Sequence, residues 1–268
     1  MLIRHSQAYL TNGKSTMSKT IFIPAAGLGT RFSKLGLTTP KPLIKVNEET
    51  LLEKSISSFS VCTEDIIIIA TQEIHKVKKI MKSKIENLFP NNLLEWVELN
   101  NTPPGQLATS FMALDQINKM NIIPERSKLY IHNCDTGFAW SPTLEDFSTF
   151  GLMAVFEADG NHWSFGKPSP NDPSLAIEIA EKKRISSLAS IGLYGFQSLQ
   201  HFLESSRNFL IHGTKVNNEY YIAPMLQSAI TEGKSICIPR VESVKLFGTP
   251  EELCKTFNIS VNDLISSN

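Results

Sequence analysis

The sequence predicts an α/β protein with a mixed, mostly parallel sheet flanked by helices, and two observations carry this prediction. From residue 20 to residue 135, apolar runs typical of buried strands alternate with segments of helical periodicity. Between residues 151 and 196 the pattern changes to four strand-like runs separated by tight turns. We therefore expect a doubly wound sheet that continues into an antiparallel lobe.

The first half supplies the parallel part of the predicted sheet. Its most apolar run, Glu-Asp-Ile-Ile-Ile-Ile-Ala-Thr, is rich in β-branched residues and suits a strand that is covered on both faces. The helical segments between the strands place apolar residues at helical spacing. The predicted strands are 20–25, 64–71, 93–99 and 128–135, and the predicted helices are 51–59, 72–89 and 105–117.

The second half supplies the antiparallel lobe. Its predicted strands are 151–158, 161–168, 175–183 and 190–196, followed by helices at 197–206 and 219–231 and a strand pair near 235–246. A last helix follows, with Thr249 as its N-cap and Pro250 at its first position. We predict one domain over residues 19–268 and a flexible extension over residues 1–18.

Composition excludes several classes of function. The formal net charge of the 268 residues is zero, which argues against a nucleic-acid binder. The four cysteines form no C-x-x-C pair, so they indicate structural thiols in a reducing cytoplasm and no zinc ribbon. No apolar run reaches the roughly 18 residues that a membrane span needs, so we expect no membrane partner.

The stretch Pro-Ala-Ala-Gly-Leu-Gly-Thr-Arg-Phe follows the first predicted strand, where open α/β sheets bind their ligands. Gly27 and Gly29 let backbone N–H groups approach a ligand closely, and such a turn can form a nest for anions. Arg31 and Lys41 would add positive charge at the same place. The combination predicts a polyphosphate site.

Two better-known glycine loops do not fit this stretch. It lacks the G-x-x-x-x-G-K-[ST] pattern of a P-loop. It also lacks the third glycine of the dinucleotide fingerprint, because Phe32 stands there, and this argues against a nicotinamide-dependent oxidoreductase.

The pattern PAAGLGTRF…TPKPL resembles the signature of the sugar-phosphate nucleotidyltransferases. Further similarities follow in the family's order along residues 20–257: HNCD, AEKK, SIGLYGF and LFGTPEEL. WSF and EYYIAPM are similar to a branch that serves bacterial surface polysaccharides. The resemblance implies a glycosyltransferase-A-like, Rossmann-like fold, with a nucleotide-binding half at 19–140 and an acceptor-binding half at 141–268.

The resemblance also implies a reaction. Such enzymes join a nucleoside triphosphate to a sugar 1-phosphate and release pyrophosphate, with Mg²⁺ as cofactor. A non-sugar acceptor such as phosphocholine, a phosphorylated polyol or a phosphorylated amino acid stays open, as does a homo-oligomer. A catalytically weak, nucleotide-binding regulatory homologue is the alternative from another class.

Residue roles follow from the matched motifs. Catalytic roles fall on Arg31, Lys41 and Asp135, and Asp135 is also the metal ligand. Nucleotide binding falls on Ala25, Ala26, Gly27, Leu28, Gly29, Thr30, Gly105 and Gln106, and acceptor binding on Glu181, Lys182 and Gly192.

One position departs from the family pattern. Leu246 stands where many relatives carry a second metal-binding aspartate. Glu178 and Asp172 are the candidates for a replacement carboxylate.

Overall fold

The structure, a computed structural model, describes residues 18–268. The predicted extension, residues 1–18, lies outside the described residues except for Ser18. The strands are β1 (Lys19–Pro24), β2 (Lys45–Val46), β3 (Glu49–Thr50), β4 (Ile66–Gln72), β5 (Leu93–Leu99), β6 (Lys128–His132), β7 (Thr136–Gly137), β8 (Gly151–Glu157), β9 (Ser164–Pro168), β10 (Ala176–Glu181), β11 (Leu188–Phe196), β12 (Ile236–Cys237) and β13 (Lys245–Leu246). The α-helices are α1 (Thr30–Ser33), α2 (Leu51–Ile56), α3 (Val77–Leu88), α4 (Gln106–Asn118), α5 (Leu199–His212), α6 (Ile222–Thr231), α7 (Pro250–Phe257) and α8 (Val261–Ser266).

A nine-stranded sheet runs through both halves of the described chain. Seven of its strands lie in the order β10-β9-β11-β6-β1-β4-β5, while β8 pairs with β11 and β12 pairs with β8. β1 is parallel to both β4 and β6, and β4 is parallel to β5. β11 is antiparallel to β6, β8 and β9. The predicted mixed, mostly parallel sheet with an antiparallel lobe is confirmed.

Both faces of the sheet are covered, which explains the continuous apolar run of β4. Ile66, Ile68 and Ala70 face a core that includes α4, α5 and α6. Ile67 and Ile69 face a second core, which includes residues of α2 and α3. Successive side chains of a strand point to opposite faces, so a strand between two helical layers is apolar throughout.

A third, smaller core attaches the C-terminal helices. Phe247, Leu253 of α7 and Leu264 of α8 pack with residues of the segment 32–51. The Thr249 side chain caps α7 together with Glu252, and Pro250 takes the first helical position, as predicted. The last residue, Asn268, hydrogen-bonds to Thr39 and Lys45 of the same segment.

The predicted strand pair near residues 235–246 is wrong. β12 pairs with β8 in parallel, and β13 pairs with β7 in antiparallel orientation. Each short strand extends a partner that is distant in sequence, and Ile236 is fully buried against that partner. α8 was not predicted from the sequence, and α5 continues to His212, beyond its predicted end at residue 206.

Among residues 18–268, no helix is long and apolar enough to cross a membrane.

A buried ion pair fixes the start of β1. The Lys19 ammonium lies 2.9 Å from the Asp65 carboxylate, and both side chains are buried. Asp65 also accepts hydrogen bonds from the backbone N–H groups of Lys19 and Cys62. Removal of the carboxylate would leave the buried Lys19 ammonium with only the partly exposed Glu145 carboxylate at 3.8 Å, and two backbone donors without their partner.

We expect Asp65→Ala to lower the free energy of unfolding by about 3–5 kcal/mol, as for other broken buried pairs. Glu86→Ala is the control, because Glu86 pairs with Lys82 on the exposed face of α3. That change should cost less than about 0.5 kcal/mol. Urea unfolding of the two variants measures both values, and equal losses would contradict the assignment.

Candidate active site

Two adjoining cavities lie beside the carboxyl ends of β1 and β6. The first, here called the loop cavity, has a volume of about 430 Å³ and is lined by residues 24–31, Lys41, Pro42, Thr102, Pro103, Gly105, Gln106, Thr109, residues 133–135, Glu219 and Tyr221. The second, the lobe cavity, has a volume of about 210 Å³ and is lined by Arg31, Gln106, Asn133, Asp135, Thr136, residues 162–164, Glu181, Lys182, residues 190–192, Tyr194, Tyr221, Leu246, Gly248 and Glu252.

The predicted site residues divide between these cavities. The predicted nucleotide-binding residues line the loop cavity, and so does Lys41. Glu181, Lys182 and Gly192 line the lobe cavity. Arg31, Gln106 and Asp135 line both. The structure thus brings together every residue predicted for the site, although their roles stay predictions.

The glycine-rich loop is held from two sides. Ala25 donates its N–H to the carbonyl of Ala70 at the end of β4, over 2.8 Å. The Gln72 side chain donates to the carbonyl of Ala26, also over 2.8 Å. Gly29 has a φ of +63°, which few side chains tolerate, and the loop passes into α1 there. The role of Gln72 was not predicted; its one indication in the sequence is a polar residue at the end of a strand.

Lys41 and Asp135 form the ion pair at the junction of the cavities. The Lys41 Nζ lies 3.3 Å from the Asp135 Oδ2 and 3.4 Å from the carbonyl oxygen of Gly248. Lys41 begins a short 3₁₀ helix immediately after Pro40. A predicted cation and a predicted metal ligand therefore meet across 94 residues of sequence.

Neither predicted replacement for the missing aspartate lies in the site. Asp172 caps the exposed turn before β10, and Glu178 faces Lys167 on the sheet edge. Glu252 lies closer: a side chain at Gly248 would meet Glu252 Oε2 at 3.1 Å and Asp135 Oδ2 at 3.5 Å. Two carboxylates therefore lie beside Gly248, where an added side chain would contact both.

This donor set fits a magnesium ion. Among residues 18–268, no three His, Cys, Asp or Glu side chains gather in a way that could hold a metal. Mg²⁺ usually takes only one or two protein carboxylates and completes its shell with water and phosphate oxygens. Asp135 and Glu252 supply two carboxylates.

Asn133 links the two cavities, and the sequence analysis missed it. Its Oδ1 accepts a hydrogen bond from Gln106 Nε2 over 2.5 Å, and its backbone N–H donates to the Gly192 carbonyl. Gly192 has a φ of +76°, and a side chain there would meet Asn133 Nδ2 at 2.5 Å. The glycine is therefore needed for Asn133, whatever else it admits.

Glu181 is a desolvated carboxylate that lines the lobe cavity. Burial raises its pKa, while the Ser164 hydroxyl donates a hydrogen bond to it. The neighbouring Tyr194 is 3% exposed, and burial raises its pKa to about 12. Lys182 follows with a φ of +54°, a left-handed conformation that costs a residue with a side chain about 1–2 kcal/mol.

Four further aromatic and titratable side chains lie in or near the two cavities. His132 is buried, bonds through Nε2 to the Thr136 carbonyl, and has its pKa lowered by burial, so the ring is neutral. His162 and Trp163 line the lobe cavity, where His162 Nε2 lies 3.4 Å from Glu252 Oε1. Cys134 borders the loop cavity, and burial raises its pKa to about 12, which keeps the thiol protonated.

Comparisons with known proteins find a curated relative of this chain. No family model matches the chain. It is 28% identical to the bifunctional protein GlmU of Aliarcobacter butzleri over 227 residues, which cover 81% of this chain and 47% of that protein. The chain thus spans about half the length of the curated relative that it matches.

The chain is also similar to solved structures. The nucleoside-diphosphate-sugar pyrophosphorylase of Vibrio cholerae RC9 is 26% identical, with a TM-score of 0.77 that covers 89% of this chain and 99% of that one. The CTP:phosphocholine cytidylyltransferase of Streptococcus pneumoniae has a TM-score of 0.65 over 90% and 98% of the two chains. The two chains are 16% identical, so the similarity shows a shared fold.

The raised pKa of Glu181 predicts a stability effect with a definite sign. Above the ordinary carboxyl pKa of 4.5, the unfolded chain releases this proton more readily than the folded chain. Stability is therefore fully present below that value and is lost as the pH rises above it through the raised pKa of the folded state. We expect Glu181→Gln to raise Tm at pH 7.5 by about 2 °C, with no increase near pH 4.

Calorimetry at the two pH values measures this difference. Glu178→Gln is the control, because Glu178 lies on the same strand with an exposed side chain. An equal change in both variants, or a drop in Tm for Glu181→Gln at pH 7.5, would contradict the assignment.

Proposed function

We propose that the chain belongs to the sugar-phosphate nucleotidyltransferase family. Its reaction would join a nucleoside triphosphate to a sugar 1-phosphate and release pyrophosphate. One observation carries the proposal. The residues predicted for the triphosphate and those predicted for the acceptor line two cavities that adjoin at Asp135.

The reaction would be an in-line displacement. A phosphate oxygen of the acceptor forms a bond to the α-phosphorus, the bond to the bridging oxygen breaks, and pyrophosphate leaves with the electron pair. The acceptor phosphate is already ionised at neutral pH, so no side chain needs to remove a proton. The work left to the protein is to position two anions and to offset the charge that develops.

The loop cavity would hold the triphosphate. Backbone N–H groups of residues 27–30 would bind its phosphates at the end of β1. Arg31, an exposed guanidinium at the junction of the cavities, would bind the leaving pyrophosphate in a bidentate manner. Lys41, held beside Asp135, would bind the α-phosphate on which charge develops.

Asp135 and Glu252 would hold Mg²⁺. When bound, the ion would neutralise part of the charge on the phosphate oxygens. Glu252 would replace the carboxylate that Leu246 lacks, and its position is fixed because it also caps α7. The Lys41 ammonium would orient the Asp135 carboxylate.

The lobe cavity would hold the acceptor. Lys182 would bind its phosphate, and Glu181 would accept a hydrogen bond from a hydroxyl group. The lining combines Ser164 and Ser190 with the flat ring of Trp163, which suits a ring bearing several hydroxyl groups. We therefore propose a sugar 1-phosphate used for surface polysaccharide. Because nucleoside triphosphates are its substrates, we also propose a cytoplasmic location; a homo-oligomer stays a prediction.

The test is pyrophosphate release in the presence of Mg²⁺. CTP, UTP, dTTP, GTP and ATP are each paired with a panel of sugar 1-phosphates, phosphocholine and phosphorylated polyols. We expect release with one triphosphate and one sugar 1-phosphate. Release with phosphocholine or a polyol phosphate alone would instead favour the non-sugar acceptor. Triphosphate binding with no release from any pair would favour the regulatory homologue.

We expect Lys41→Ala and Asp135→Ala each to lower kcat at least about tenfold, because each removes a charge next to the reacting phosphates. Lys34→Ala is the matched control: Lys34 is an exposed lysine in the same segment and belongs to the lining of neither cavity. Steady-state kinetics on folded protein, checked by circular dichroism, measures the effect. Full activity in either site variant would place the chemistry elsewhere.

A further inference from the structure

A tight turn precedes two residues that line the cavities, Glu219 and Tyr221. Val216 and Glu219 exchange two backbone hydrogen bonds of 3.0 Å across Asn217 and Asn218. Both asparagines have a positive φ, of 50° and 66°, as in a type I′ turn. Glu219 is the last residue of the turn and lines the loop cavity, and Tyr221 lines both cavities.

The segment after this turn is locked to the loop that begins α4. Tyr220 donates its N–H to the Pro104 carbonyl over 2.8 Å and accepts from the Leu107 N–H over 3.0 Å. A side chain at Gly105 would meet the Tyr220 backbone nitrogen at 2.7 Å and Glu219 Cβ at 2.9 Å. The close approach fixes Glu219 and Tyr221 relative to Gly105 and Gln106, which are predicted to bind the nucleotide.

Tyr221 connects this segment to the lobe cavity. The Lys182 ammonium donates to the Tyr221 hydroxyl over 2.5 Å and lies 4.4 Å from the centre of its ring. The same hydroxyl donates to the Glu219 carboxylate. Burial and Glu219 raise the pKa of Tyr221, so the hydroxyl stays protonated and can donate. Hydrogen bonds therefore run in one direction, from Lys182 through Tyr221 to Glu219.

The backbone of Lys182 supports a functional reason for this contact. Its φ of +54° is unfavourable for a residue with a side chain, and strain of this kind gathers at functional sites. Arg184, two residues further along the chain, instead donates to the carbonyls of Ala158 and Gly160. The unusual backbone turns one lysine of the Lys-Lys-Arg run towards the cavity.

We propose that Tyr221 is a positioning residue that holds the Lys182 ammonium for the acceptor phosphate, and that Glu219 orients the Tyr221 hydroxyl. The inference rests on the proposed function for the identity of the ligand. It follows that acceptor binding depends on a segment that is fixed to the nucleotide side of the site. One N–H of Lys182 is used by Tyr221, and two remain for a phosphate.

The contact itself can be tested without activity. Brief acetylation with acetic anhydride, read by peptide fragmentation, gives the labelling of Lys182 relative to its neighbour Lys183. We expect Tyr221→Phe to raise this ratio about threefold, because the amine loses its hydrogen-bond partner but keeps the aromatic ring. Tyr220→Phe is the matched control, since its hydroxyl turns away to the Leu210 carbonyl. Equal ratios in the two variants would overturn the contact.

The role in acceptor binding is tested by kinetics with the substrate pair that the panel identifies. We expect Tyr221→Phe to raise the acceptor KM about tenfold, with kcat and the triphosphate KM within about twofold of wild type. Glu219→Gln should raise the acceptor KM in the same direction but less. Tyr220→Phe should behave as wild type.

A double-mutant cycle separates positioning from direct contact. If Tyr221 acts through Lys182, then Tyr221→Phe should add nothing in a Lys182→Gln background. Additive losses would overturn the positioning role and favour a direct contact between Tyr221 and the acceptor. A wild-type chain that releases no pyrophosphate from any pair would overturn the proposed function and the acceptor role with it, while the labelling ratio would still decide the contact.

Discussion

The parallel pairing of β1 between β4 and β6 is the constraint on which the rest of the site depends. Parallel strands end at one edge of a sheet, so the glycine-rich loop after β1 and Asp135 after β6 emerge side by side. β11 then pairs with β6 in the opposite direction, which brings Gly192 next to Asn133 at that edge. One register choice in the centre of the sheet therefore assembles both cavities.

The charged side chains at this edge of the sheet differ in the partners that hold them. Lys41 lies against Asp135, and Lys182 is held by the neutral hydroxyl of Tyr221. Glu181, with its raised pKa, receives the Ser164 hydroxyl. Lys182, held by a neutral partner, stays available to a phosphate, whereas Lys41 would first have to loosen its salt bridge to Asp135.

Much of the fold could be predicted because its signals are local. The β-branched run of β4 and the helical spacing of α4 are properties of consecutive residues. The wrong strand pair at 235–246 shows where such signals fail. β12 and β13 have two residues each, and their partners β8 and β7 lie far away in sequence, so neither length nor alternation could identify them.

The sequence by itself singled out the glycine-rich loop, Arg31, Lys41 and the carboxylate after β6, because each stands in a short motif with its own spacing. Only the tertiary structure decided which other side chains join them. Glu252 approaches Asp135 because Gly248 leaves room, Asn133 reaches Gln106 across the cavities, and Tyr221 reaches Lys182 because the turn at 216–219 is locked to Gly105. These contacts join residues that are far apart in sequence, and their geometry is set by packing.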